Sequence, residues 1–143
     1  EPVRREFLGL LEKLKIKKNV FLFDLLPHDN LMRLVKASKV MVYPSRFDAY
    51  PLVVLESLAS GIPVVAYDIP SISLNYMTES VAKCPIGDID TIAGNVVKIL
   101  SDDKLRRKHS QRAIEYAANF SWENVAKEEL KAFADVLDFW AHK

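Results

Sequence analysis

Four short apolar runs, three of them followed by a helical pattern, constrain the fold of this 143-residue chain more than any other feature. The runs cover residues 20–23, 40–43, 63–67 and 81–84. Strands that are apolar throughout are covered on both faces, as in parallel sheets whose crossover connections are helices. The pattern therefore predicts an α/β fold: a Rossmann-like parallel sheet with helices on both faces and an all-helical C-terminal tail from about residue 104 to 143.

The segments between and after these runs predict the helices. Apolar side chains recur at helical spacing in residues 4–16, 30–37, 51–60, 89–100, 104–119 and 122–140. Residues 69–78 are expected to be irregular, with one helical turn. The last helix carries an apolar stripe around Leu130, Phe133 and Leu137, which we expect either to pack on the domain or to face another domain.

The whole chain, residues 1–143, is predicted to form a single domain, since no linker or repeat interrupts it. It begins at Glu1, inside a predicted helix, and four strands make a thin sheet. We therefore expect a piece of a longer protein.

Composition and charge argue against several classes of function. The formal net charge of +1 supplies no field that would attract nucleic acid. No apolar run approaches the ~20 residues that a membrane span needs. The three histidines, His28, His109 and His142, lack metal-ligand spacing, and no glycine-rich phosphate loop occurs. Neither a metal site nor a nucleic-acid interface is predicted.

The stretch of residues 44–68 reads as a loop, an apolar helix and a strand, and it carries two acids. Glu56 lies in the middle of the apolar helix, where an unpaired carboxylate would cost several kcal/mol. It either pairs with a lysine, an arginine or a backbone group in the core, or binds the hydroxyls of a ligand about 6–8 Å below the helix tip. Asp48, in the loop, is either a cap or turn residue or a ligand contact.

The start of this helix is suited to an anion. Pro51 fixes the first helical turn, and free backbone N–H groups near residues 50–53 can point at a phosphate. Ligands of open α/β sheets bind outside the carboxyl ends of the strands, which is where this loop is predicted to lie.

The same stretch resembles the Glu-x7-Glu motif of the group 1 glycosyltransferases, a retaining family with the GT-B fold. The matching residues are Pro44-Ser45, Asp48 to Leu52, Leu55 to Ala59, Gly61 and Pro63 to Val65, with seven residues between the two acids. Four further segments resemble the family in order: residues 19–31, 37–40, 85–88 and 120–123. The resemblance thus covers nearly the whole chain.

The resemblance implies the C-terminal, nucleotide-sugar-binding domain of such an enzyme, without its first strand–helix segment. Glu56 would contact the ribose and Asp48 the transferred sugar. Backbone amides near the helix tip would hold the sugar and the distal phosphate, namely those of Ala49, Tyr50 and Leu52. The base would lie near Leu25 and Leu26. The family needs no metal, and the nucleotide sugar is a substrate, so no cofactor is expected.

The implied function is retaining transfer of a sugar from a nucleoside-diphosphate sugar to an unknown acceptor. The implied partner is the missing N-terminal domain of the same protein, without which the isolated chain is expected to be inactive. The expected location is the cytoplasm, and peripheral contact with the inner face of the membrane is left open.

Departures from the family pattern, above all at Asp48 and Ala49, leave alternatives open. Asp48 replaces the usual Glu, Ala49 replaces a Gly, and Asp24 stands where Gly is common. If residue 49 needs a positive φ, Ala49 would be strained. The alternatives are a non-catalytic module that binds sugar nucleotides or a partner, and a related GT-B epimerase or phosphorylase.

Overall fold

A computed structural model describes residues 2–142, which form two compact units that divide after Leu31. The first unit holds helix α1 (Pro2–Lys13) and a short 3-10 helix (Lys17–Asn19). Leu11 is its buried apolar side chain, and Arg4 lies 3.2 Å from Asp24 in an exposed ion pair. The predicted first helix is confirmed, although it ends earlier than expected.

The predicted strand at residues 20–23 is wrong. The segment forms no strand, and the side chains of Phe21 and Phe23 are 77% and 60% exposed. A β-strand is formed by backbone N–H···O=C hydrogen bonds to a neighbouring strand. The Val20 N–H instead donates to Lys17 O, at 3.3 Å, in the preceding turn. Apolar composition alone therefore led to a false prediction of a strand.

The second unit contains the sheet and the remaining helices. Helix α2 (His28–Ala37) extends across the division after Leu31. The elements that follow it are, in chain order, β1 (Met41–Tyr43), α3 (Leu52–Ala59), β2 (Val64–Tyr67), α4 (Pro70–Asn75), β3 (Val81–Cys84), α5 (Ile89–Ser101), α6 (Asp103–Ala117), a 3-10 helix (Ala118–Phe120) and α7 (Trp122–Ala141). The other predicted helices and strands are confirmed within a few residues. The segment expected to be irregular contains α4.

The sheet has three parallel strands in the order β1-β2-β3 among the described residues. Met41 pairs with Val64, and Val64 pairs with Val81 in the next strand. All four residues of β2 are buried, as expected for the central strand of a covered parallel sheet. The predicted α/β class with a parallel sheet and a helical C-terminal tail is confirmed.

The turn between α3 and β2 depends on Gly61, which has a φ of +74°. The Gly61 N–H donates to Leu58 O and the Ile62 N–H donates to Ser57 O, both at 2.9 Å. These bonds satisfy carbonyls at the end of α3, as a C-terminal glycine commonly allows. They direct the chain straight into the central strand.

Helix α7 begins where predicted, and Ser121 is its N-cap: the Ser121 Oγ accepts the Asn124 N–H at 3.2 Å. Its apolar stripe does not pack on the described residues: Leu130, Phe133 and Leu137 are between 59% and 70% exposed. Of the two alternatives expected for the stripe, packing on this domain is therefore not observed.

Candidate functional site

The candidate site lies where β1 ends and α3 begins. Because β1 and β2 are parallel, the loops that follow Tyr43 and Tyr67 leave the same edge of the sheet. The first of these loops carries Asp48 to the start of α3. The two acids singled out from the sequence thus belong to one strand–loop–helix unit at the carboxyl edge, where α/β folds bind ligands.

Two donors hold the Asp48 carboxylate. The Tyr50 N–H donates to Oδ1 at 3.0 Å, and the Tyr43 hydroxyl donates a hydrogen bond to Oδ2. The first bond is a turn of the type that Asp forms two residues along the chain. Asp48 is therefore a turn residue, as one of the two interpretations expected. A carboxylate has about four lone-pair sites, so about two remain for a ligand.

The Tyr43 hydroxyl stays protonated at neutral pH. Its burial raises the pKa of the phenol above the usual value, and the hydrogen bond to Asp48 raises the pKa further. Burial removes water from a phenolate, and the Asp48 carboxylate would repel it, so both effects disfavour the charged form. Tyr43 is thus a hydrogen-bond donor, and Asp48 is the acceptor.

Glu56 lies one turn into α3, between buried neighbours and solvent. Val54, Ser57 and Leu58 on the same helix are fully buried, whereas the Glu56 side chain is half-buried. Within residues 2–142 its carboxylate accepts no hydrogen bond and forms no ion pair. The alternative that Glu56 pairs with a core group is therefore not observed.

Only some of the backbone N–H groups at the tip of α3 lack a hydrogen-bond acceptor in the part of the chain that the structure describes. The Leu52 N–H donates to Tyr50 O and the Val54 N–H donates to Pro51 O, each at 2.9 Å. Since the Tyr50 N–H is also used, the amides that lack an acceptor among the described residues are those of Ala49 and Val53. The expectation of free N–H groups throughout this segment holds for only part of it.

Ala49 is not strained. Lys15 is the residue other than glycine that has a positive φ in the described part of the chain, so Ala49 adopts an ordinary backbone conformation. The replacement of Gly by Ala at this position adds a methyl group without backbone cost.

Tyr76 contacts the backbone at the tip of α3, a role that the sequence did not indicate. The side chain is fully buried, and its hydroxyl donates to Pro51 O at 2.8 Å. Burial raises the pKa of the phenol well above its usual range. The ring lies 6.2 Å from the ring of Tyr50 and 6.5 Å from that of Tyr116. An aromatic series thus connects the tip of α3 to α6.

An apolar cavity of about 310 Å³ adjoins this tip. It is lined by Tyr50, Leu52, Leu55, Phe120, Trp122 and Val125. Two of the predicted site residues, Tyr50 and Leu52, are therefore accessible from a concave surface.

Leu25 and Leu26 belong to the first compact unit. The Leu25 side chain is fully exposed, and the Leu26 side chain is half-buried. Contact of these two side chains with a nucleotide base stays a prediction.

No group of three or more His, Cys, Asp or Glu side chains within residues 2–142 is arranged to hold a metal ion. The same residues contain no helix that is long and apolar enough to cross a membrane.

Comparison with known proteins identifies the family to which this sequence is similar. The family model described as glycosyl transferases group 1 matches residues 1–119. The chain is 30% identical over 107 residues to the O-antigen chain mannosyltransferase B of Escherichia coli, which covers 75% of this chain and 28% of the relative. It is 28% identical over 130 residues to the D-inositol 3-phosphate glycosyltransferase of Corynebacterium diphtheriae, which covers 90% of this chain and 30% of the relative.

A solved structure shows the same fold. Sucrose-phosphate synthase from Thermosynechococcus elongatus superimposes with a TM-score of 0.82 at 24% identity, over 96% of this chain and 35% of that one. This likeness agrees with the predicted GT-B architecture. The chain spans about a third or less of the length of these proteins. Because the family match extends over most of the sequence, the chain belongs to the group 1 glycosyltransferases.

Proposed function

We propose that the chain is the donor-binding part of a retaining glycosyltransferase, which moves a sugar from a nucleoside-diphosphate sugar to an acceptor. The observation that carries the proposal is the Glu56 carboxylate, which is half-buried in an apolar helix and has no partner within residues 2–142. Such a carboxylate reaches solvent and has all its lone pairs available to a ligand that supplies donors. Two neighbouring hydroxyls of a ribose supply them, as they do at other nucleotide sites.

The spacing along α3 supports the same ligand. Glu56 follows Leu52 by four residues, which corresponds to about 6 Å along a helix. A phosphate at the tip and a carboxylate at that depth are separated by about the length of a nucleoside sugar. The free N–H groups of Ala49 and Val53 and the positive end of the helix favour the phosphate.

In this proposal the protein accelerates transfer by positioning and electrostatics. Negative charge builds on the departing diphosphate as its bond to the sugar breaks, and the helix tip stabilises that charge. Glu56 binds the nucleotide and does not exchange a proton. Asp48 contacts the transferred sugar through its remaining lone pairs. The chemistry on these residues requires neither a metal nor a further cofactor.

The remainder of the protein would supply the acceptor site. The relatives are about three times longer than this chain, and α7 exposes an apolar stripe around Leu130, Phe133 and Leu137. An apolar stripe of this kind is suited to contact with another domain of the same protein. We place the enzyme in the cytoplasm, with peripheral contact at the inner membrane face as an option.

Calorimetry with UDP-, GDP- and ADP-sugars tests the proposal on the full-length protein. One of these donors is expected to bind, and Glu56→Ala is expected to weaken its binding by about 10–100-fold, since charged hydrogen bonds contribute about 1.5–3 kcal/mol. Glu115→Ala is the matched control, because Glu115 is an exposed acid on α6 that accepts a hydrogen bond from Gln111 at 2.9 Å. Equal donor binding by wild type and Glu56→Ala would remove the site assignment.

A second candidate is a non-catalytic module that binds sugar nucleotides. It is favoured by the Asp48 carboxylate, which is one methylene shorter than the usual Glu and already accepts two hydrogen bonds within the protein. The double variant Asp48→Glu/Ala49→Gly separates the two. A large gain of transfer from a nearly inactive parent would support the module, whereas an active parent would exclude it.

A further inference from the structure

We infer that Tyr43 is a positioning residue that fixes the Asp48 carboxylate for contact with the transferred sugar. The inference rests on the proposed function, because it concerns how the donor sugar is held. Its basis is the hydrogen bond from the Tyr43 hydroxyl to Asp48 Oδ2. Tyr43 ends β1, so the sheet itself provides the anchor for this bond.

The anchor belongs to the sheet. Tyr43 is in register with Ala66 of the buried central strand, and the Tyr43 side chain is half-buried. The backbone of Tyr43 is therefore held by the sheet and not by the loop. A group held on a strand is located more precisely than a group held only by a loop.

The second donor, the Tyr50 N–H, approaches the other oxygen at 3.0 Å. One donor on each oxygen fixes both torsions of the Asp48 side chain and leaves about two lone-pair sites in defined directions. If the Tyr43 hydroxyl is absent, only the turn bond remains and the carboxylate can rotate about it. A sugar hydroxyl would then meet a less ordered acceptor and bind with a larger entropic cost.

The direction of this hydrogen bond is unambiguous. Burial and the carboxylate both raise the pKa of the Tyr43 phenol, so the hydroxyl keeps its proton over the neutral range. Positioning by Tyr43 should therefore not vary between pH 6 and about 9, a range that lies below the unperturbed phenol pKa of ~10.

The test compares two ligands in full-length Tyr43→Phe: the nucleoside diphosphate and its sugar conjugate. Since Asp48 contacts only the sugar, affinity for the conjugate should fall about tenfold while affinity for the diphosphate stays unchanged. The donor KM should rise in parallel. Unchanged diphosphate affinity also shows that the variant is folded.

Tyr67→Phe is the matched control. It deletes the same hydroxyl at the end of the neighbouring strand, where the Tyr67 hydroxyl makes no hydrogen bond within residues 2–142. Its affinities for both ligands should equal those of wild type. In an Asp48→Ala background, Tyr43→Phe should change conjugate affinity by less than about twofold, because a positioning residue acts through its partner.

Each other outcome overturns the inference. Equal weakening of both ligands would make Tyr43 a structural residue. Unchanged or tighter binding of the conjugate would mean that the hydrogen bond holds Asp48 away from the sugar. If wild type binds no nucleotide sugar, the proposed function fails and the inference fails with it. If wild type binds and Tyr43→Phe binds equally, the inference alone fails.

Discussion

Replacing Gly61 by alanine perturbs the packing contact between the end of α3 and α6. Gly61 has a φ of +74°, which an L-residue rarely adopts. A Cβ built on it would lie 2.9 Å from the Ser110 Oγ and 3.2 Å from the Ile114 Cδ1, both on α6. The substitution therefore combines backbone strain with a steric clash against a neighbouring helix.

The two costs can be estimated separately. The left-handed conformation costs an alanine about 1–2 kcal/mol. Inserting a methyl group into a packed contact costs about 1–3 kcal/mol. The expected loss of stability is their sum, about 2–5 kcal/mol.

Two other glycines provide matched controls. Gly87 has a φ of +85° and nothing within 4 Å of a built Cβ, so Gly87→Ala should show the strain alone, about 1–2 kcal/mol. Gly94 lies inside α5 with the same open space and no positive φ, so Gly94→Ala should stabilise by about 0.5–1 kcal/mol. The difference between Gly61→Ala and Gly87→Ala then isolates the clash with α6.

Hydrogen exchange of the β2 amides measures these changes in the full-length protein, because core strands report the opening free energy of the surrounding structure. Gly61→Ala should accelerate their exchange clearly more than Gly87→Ala does. Equal acceleration by the two variants would refute the reasoning, since it would mean that a side chain at residue 61 does not meet α6.

Two further predictions concern Tyr76 and His109. Tyr76→Phe removes the hydroxyl that donates to Pro51 O and should lower the free energy of unfolding by about 1 kcal/mol in urea, and no loss would mean that the bond does not support the helix tip. Burial, with two neighbouring lysines, lowers the pKa of His109 in the folded state, so the unfolded state binds more protons and stability should fall as pH drops below about 6.5. His109→Gln should flatten this part of the stability–pH curve, and an unchanged curve would exclude His109 as its cause.

Local signals in the sequence predicted most of the helices and three of the four expected strands. Helix starts were read correctly where a short polar side chain can cap them, as at Ser121 and at Asp88, whose Oδ1 accepts the Thr91 N–H at 2.9 Å. The false strand at residues 20–23 shares its apolar character with true strands, but a strand also needs a partner, and composition does not reveal one.

The candidate site was predictable where its residues share one helix and loop. Asp48 and Glu56 could be found from their spacing and from the cost of an acid in an apolar helix. Tyr43 and Tyr76 could not be found, because their hydroxyls contact Asp48 and Pro51 through the folded structure, and nothing in the local sequence marks such contacts. The sequence left two positions open for the α7 stripe, because an amphipathic pattern shows which face is apolar, not what covers it.

The central claim is that Glu56 holds the ribose of a nucleotide donor. The most direct test measures the affinities of full-length wild type and Glu56→Ala for the preferred nucleotide sugar and for its 2′,3′-dideoxyribose analogue. Wild type should bind the ribose form at least about tenfold more tightly, since the analogue leaves the carboxylate unpaired. Glu56→Ala should bind both forms nearly equally. An undiminished preference for ribose in Glu56→Ala would contradict the account.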